Sequence, residues 1–170
     1  MFDVQTTDAF NSEAQLVDQF VGALRTGTTR WGRVEVFTEW AHGAGSVDVL
    51  CRNRTKKLLA FEAKLSDWRR AFHQAFRNGT YADRVYVVLP RKVALTAAQY
   101  REQFEARGIG LCSMMLGRVH VHIRAGMQPQ QLPWITRRAH QHFDGAIDEC
   151  RDAGHGRQRI LRSEPASTSA

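Results

Sequence analysis

Hydrophobic positions along this chain change their period several times, and each change marks an element. Over residues 12–24, Leu16, Phe20, Val21 and Leu24 recur at helical spacing, with Ser12 placed to cap the first turn. Gly27 and the polar run TGTTR end that helix. Residues 34–40 (VEVFTEW) read as a strand, and a glycine-rich turn, AHGAG, leads to a second strand over 46–52 (SVDVLCR). The polar turn NRTKK separates it from a third strand, 58–65 (LLAFEAKL). Connections this short predict an antiparallel meander.

Ser66 or Asp67 then offers a cap for the helix DWRRAFHQAFRNG, which closes at Gly79 or just before it. DRVYVVLP reads as a buried strand stopping at Pro90, followed by a helix over 96–107. Two strands, GIGLCSMM and RVHVHIR, turn about Gly117, and an amphipathic helix runs from beyond Pro133 to about residue 151. Residues 154–170 are polar and rich in Ser and Arg, a composition that predicts disorder. The helix between the third and fourth strands acts as a crossover, so that pair is predicted to be parallel. The expectation is one α/β domain over 1–153, its core at about 12–124, with a mixed central sheet and helices on both faces.

Composition narrows the function classes. The 170 residues are 43% hydrophobic and 24% charged, enough to bury a core without disulfides or a structural metal. No stretch approaches the roughly 18 apolar residues of a membrane span. MFDVQTTDAF lacks a basic region followed by an apolar run, so the expected address is cytoplasmic. Cys51, Cys112 and Cys150 lie far apart and form no CxxC pair, which argues against a disulfide scaffold or a zinc finger. Lys plus Arg number 24 against 17 Asp plus Glu, a formal charge of +7 that favours polyanionic partners, nucleic acid foremost.

The chemistry concentrates between Asp48 and Lys64. Asp48 interrupts an apolar strand, flanked by Val47 and Val49. Glu62 and Lys64 lie two apart in another apolar strand and so project from one face, with the small Ala63 pointing away. Burying three charges at neighbouring strand ends costs several kcal/mol unless they pair or bind a cation. A hard divalent ion suits such oxygens: Mg2+ typically takes one or two carboxylates plus waters and substrate phosphate. A lysine beside it can hold the attacking water and offset charge developing on phosphorus.

At these residues the chain resembles the PD-(D/E)xK nuclease superfamily. The matching positions are Asp48 and then Glu62-Ala63-Lys64, with 13 residues between the aspartate and the glutamate. Val47 stands where the motif's proline would be. The resemblance implies a restriction-endonuclease-like core of helix, three-strand meander, helix and strand, matching residues 12–89. It implies Mg2+ or Mn2+ held by Asp48, Glu62 and the carbonyl of Ala63, with Lys64 near the attacking water. It further implies a place at the metal site for Glu13 on the first helix and a supporting place for Gln74 on the helix after the lysine. The expected activity is metal-dependent hydrolysis of DNA phosphodiester bonds, whether as endonuclease or exonuclease.

Each residue also has a plainer explanation. Asp48 can end a strand in a turn, Glu62 and Lys64 can form a salt bridge, and Glu13 after a serine cap favours the helix dipole. Glu39, ending the first strand, is a local alternative to Glu13. Arg69, Arg70 and Arg77, beside Trp68, form a basic helix suited to nucleic-acid phosphates, although charged helix faces are commonly just solvated. His120 and His122 share a strand face without a third metal ligand. The Trp134 helix, with Arg137, Arg138, His140 and His142, would offer DNA contacts or a homodimer face. The competing functional reading is a non-catalytic nucleic-acid-binding or assembly protein that keeps the same fold; another is an unrelated basic α/β interaction module with a chance ExK.

Overall fold

In the computed structural model the chain alternates a meander with crossovers. The structure describes residues 9–152 and 161–162, with side chains described through residue 146. Helix α1 (Glu13–Arg25) begins where the Ser12 hydroxyl accepts the Gln15 N–H at 3.1 Å. Strands β1 (Val34–Ala41), β2 (Ser46–Asn53) and β3 (Leu58–Ala63) follow as an antiparallel meander, Val49 pairing with Phe61 and Phe37 with Leu50. Helix α2 (Trp68–Asn78), capped by Asp67, crosses to β4 (Arg84–Pro90), which lies parallel to β3. After α3 (Arg91–Ala98) and α4 (Arg101–Ala106) come β5 (Ile109–Met115), parallel to β4, and β6 (Arg118–Ile123), antiparallel to β5. Helix α5 (Pro133–Asp152) and a two-residue strand, β7 (Leu161–Arg162), complete the chain. The sheet order is β6-β5-β4-β3-β2-β1-β7, a mixed sheet as expected.

Each face has its own apolar core. On one, Leu16, Phe20 and Leu24 of α1 pack on Val36, Cys51 and Phe61; on the other, residues of α2 to α5 pack on Leu50, Leu58, Val85 and Leu111. Strand β3 is buried along its whole length, as a central strand covered on both faces should be. Phe61 stacks on Tyr86 at 5.3 Å with the Trp31 edge against both rings. Gly110 follows from this cluster, because a Cβ there would lie 2.2 Å from the Tyr86 ring.

Three sequence expectations change. The single helix over 96–107 is two helices, α3 and α4. Pro90 supplies an extended entry directly into α3, and the chain turns at Gln99 and Tyr100 so that Ala97 and Phe104 reach one core. The first strand does not end at residue 40: Glu39 lies inside β1, at φ +53°, in the left-handed region that non-glycine residues rarely adopt. The third strand stops at Ala63, although the Lys64 N–H still donates to Val88 O at 3.2 Å. The polar tail predicted over 154–170 lies outside the described residues except for Leu161–Arg162. No helix among the described residues is long and apolar enough to cross a membrane.

Candidate active site

The β1–β2 ladder is interrupted at Glu39 and Asp48. Thr38 pairs with Val49 and Trp40 with Val47, while Trp40 and Val47 pack in the same core as Phe37 and Leu50. Simple alternation would put them on opposite faces, so the left-handed Glu39 resets the pattern and leaves Asp48 at the irregular step. Asp48 there turns to β3, where its Oδ2 accepts the Ala63 N–H at 2.8 Å. That bond takes the place of a ladder partner and fixes the carboxylate beside Glu62.

Glu62 is 1% exposed, in the most enclosed strand of the sheet. Its Oε1 accepts from the side-chain amide of Asn78 at 2.6 Å, and Asn78 is in turn engaged by the Tyr81 hydroxyl at 3.2 Å. The Asp48 carboxylate is near enough to Glu62 for its charge to act on it. Burial and then the Asp48 carboxylate raise the Glu62 pKa to about 8, overcoming the opposing Asn78 amide and Lys64 ammonium. At neutral pH the pair therefore carries a proton, the smallest cation able to reconcile two adjoining acids.

Lys64 lies just past the end of β3. Its Nζ donates to Glu13 Oε2 at 2.8 Å and to the Ala63 carbonyl at 3.1 Å. The first helix thus reaches the strand end through Glu13, on the side of the sheet that α1 covers. Asp48, Glu62, Ala63, Lys64 and Glu13 are brought together by these contacts; Glu39 is exposed within β1. Glu13 takes its place through Lys64, not through the carboxylate pair.

The donor set fits a small hard cation. Two adjoining carboxylates and the Ala63 carbonyl would hold Mg2+ or Mn2+, with remaining positions left to water and substrate. The fit rests on the acid pair itself, the buried Glu62 carboxyl beside the Asp48 carboxylate; Lys64 is bonded to Glu13 and to a carbonyl. Among the described residues no group of three or more His, Cys, Asp or Glu side chains is arranged to hold a metal ion, so the main-chain carbonyl is needed to complete the set.

The helix residues separate. Gln74 and Arg77 of α2 border a cleft next to Asn78, and the Gln74 Oε1 is buried there without a hydrogen-bond partner. Arg69 is elsewhere: its guanidinium lies over the rings of Trp68 at 4.4 Å and Tyr100 at 5.2 Å. Arg70 is exposed, its backbone N–H closing the Asp67 cap. Of the three arginines only Arg77 is beside the site. His122 bonds Ser113 Oγ through its Nε2 at 2.8 Å, and His120 is exposed, so that strand holds a paired histidine and not a metal pair.

Sequence reasoning missed Asn78 and His42. In the sequence Asn78 precedes Gly79 and reads as a helix stop; its place four residues after Gln74, on the same helix face, was the available signal. His42 was hidden in a glycine-rich turn, where nothing in the pattern distinguishes a buried ring from an exposed one.

No family model matches the sequence, and no curated protein matches it. Among solved structures, the chain is similar to a protein of unknown function from Silicibacter pomeroyi, with 17% identity and a TM-score of 0.54. The match covers 91% of this chain and 98% of that one. At that identity the likeness establishes a shared α/β fold over nearly the whole described length and says nothing of activity.

Proposed function

We propose that the protein is a divalent-metal-dependent nuclease of the PD-(D/E)xK type, hydrolysing DNA phosphodiester bonds. The observation that carries this reading is the adjoining Asp48 and Glu62 carboxyl groups at the joined ends of β2 and β3, Asp48 held by the Ala63 N–H and the Lys64 ammonium on the Ala63 carbonyl. The order of α1, the β1–β3 meander, α2 and β4 supports it as a restriction-endonuclease-like core.

Asp48, Glu62 and the Ala63 carbonyl would hold Mg2+ or Mn2+, which supplies a Lewis acid to the phosphoryl oxygen. The chain's own residues then divide the work. The Ala63 N–H orients Asp48, and Asn78 orients Glu62, so neither carboxylate has to reorganise. Lys64 holds the attacking water and offsets the negative charge gathering on phosphorus. Glu13 keeps that ammonium at the strand end, a positioning task that its 2.8 Å contact suits. Arg77 and the net charge of +7 favour a phosphate-rich strand.

A cleavage assay tests this. Single- and double-stranded DNA are incubated with Mg2+ or Mn2+ and with wild-type, Asp48→Ala or Lys64→Ala protein. The wild type should cut, and each variant should lose at least about 100-fold in rate, the scale of removing a transition-state contact, while DNA affinity in EDTA stays within about twofold because phosphate contacts supply it. Equal cutting by Asp48→Ala and wild type would remove the assignment.

A further inference from the structure

A cleft of about 400 Å³ opens beside the carboxylates, between the turn after β1 and the last turn of α2. Its walls include His42, Ser46, Gln74, Arg77, Asn78 and Thr80, and no carboxylate among the described residues. The turn is closed by the His42 N–H donating to Gly45 O at 2.9 Å, and the His42 ring is wedged 5.1 Å from Trp40 and 4.7 Å from Tyr81. His42 is 4% exposed, and among the described residues neither ring nitrogen has a partner beyond the residue's own main chain. On the opposite wall the Gln74 Oε1 is buried without a partner among the described residues.

An unsatisfied buried polar atom costs about 1–3 kcal/mol, so two facing one cleft point to a ligand that completes them. The surrounding charge says which kind. Arg77 borders the cleft from α2, and Arg138 of α5 approaches the turn, its Nη1 only 3.7 Å from where a side chain on Gly43 would begin. Burial, aided by the Arg138 charge and opposed by a hydrogen bond to the residue's own backbone, holds the His42 pKa below its usual value, which favours the neutral ring with its single N–H. Gln74, turned about its amide, presents an NH2 in the same direction. The Arg77 guanidinium on the rim, a ring N–H and an amide, with Arg138 acting on His42 from beyond the walls, suit a phosphate.

The cleft also joins the acid pair. Asn78 borders it and donates to Glu62, and Tyr81 links the His42 ring to Asn78. We propose that this cleft is a phosphate subsite for a nucleic-acid strand, seating a phosphodiester adjacent to the one held at Asp48 and Glu62. The adjacency rests on the nuclease reading; occupation of the cleft by a nucleotide phosphate does not.

The test uses the full chain in EDTA, with the His42 ring Cε1–H followed by NMR and assigned through His42→Phe. Thymidine 5′-monophosphate should shift that resonance saturably, and thymidine should not. Inorganic phosphate should bind more weakly, since it lacks the sugar and base that lie along a strand. Arg77→Ala, an exposed position on the cleft wall, should weaken the nucleotide response about tenfold, as loss of a charged hydrogen bond would. An equal response to thymidine, a response to inorganic phosphate as tight as to the nucleotide, or a silent His42 would each overturn the subsite. A nucleotide response in a protein that cuts no DNA would keep the subsite and remove the nuclease reading. Cleavage with His42 silent would do the reverse.

Discussion

Strand β2 carries two charged groups four residues apart, the half-buried Asp48 and the buried Arg52, and the protein treats them in opposite ways. Arg52 is 1% exposed and fully answered: Glu35 accepts from its Nε and Nη2 at 2.6 and 3.0 Å, Asp144 of α5 from Nη1 at 2.7 Å, and its guanidinium lies over Phe143. Cation meets anion, and the result ties the C-terminal helix to the sheet. Asp48 meets another acid. Its neighbour Glu62 is as deeply buried as Arg52 but has an acid beside it, and burial with that charge raises its pKa. A cluster that only had to hold the fold together would resemble the first; the second keeps an electrostatic cost that a cation would relieve.

The comparison breaks most visibly at Arg52. Replacing it by Ala should cost about 3 kcal/mol, because it removes a buried side chain packed on Phe143 and charged hydrogen bonds to Glu35 and Asp144, and so unpins α5. Urea unfolding would show this as a drop in midpoint; a loss under about 1 kcal/mol would mean that the Arg52 cluster is no lock.

Glu62→Gln should move stability the other way. A folded-state pKa raised from 4.5 to about 8 means that Glu62 favours folding fully at low pH, and that this contribution is lost as pH rises to about 8. The glutamine cannot ionise and escapes that loss. In EDTA the variant should match wild type near pH 5 and exceed it at pH 9 by on the order of 2 kcal/mol. A difference that does not grow with pH would show that the acid pair is not strained.

The smallest effect on stability is expected at Glu13. Its pair with Lys64 is half exposed on the glutamate side, so Glu13→Gln should change stability by less than about 1 kcal/mol. Cleavage should nonetheless fall, because Lys64 loses its anchor, and kcat should drop more than KM rises. Unchanged cleavage would leave this contact a surface ion pair.

Much of this was readable in the sequence, for physical reasons. Short polar turns dictated the meander, and helical spacing between β3 and β4 dictated the parallel crossover. Asp48, Glu62 and Lys64 stood out because charges in apolar strands need a reason. What stayed hidden depended on where the chain turns in space. Arg69 and Arg77 look alike in a helical repeat, yet Trp68 and Tyr100 draw one away while the other borders the cleft. Nothing local in AHGAG reveals that His42 is enclosed by Trp40, Tyr81 and the end of α2. Glu39 looked like a strand end, and its left-handed backbone is set by the register of β1 against β2.

The most direct measurement of the central claim is Mn2+ binding by calorimetry at several pH values. One ion should bind per chain, with affinity rising about tenfold per pH unit below about pH 8 and then levelling, as the metal displaces the proton held on Glu62. Asp48→Ala should abolish that binding, and Glu13→Gln should leave it nearly intact. No binding by the wild type, or equal binding by Asp48→Ala, would contradict the account.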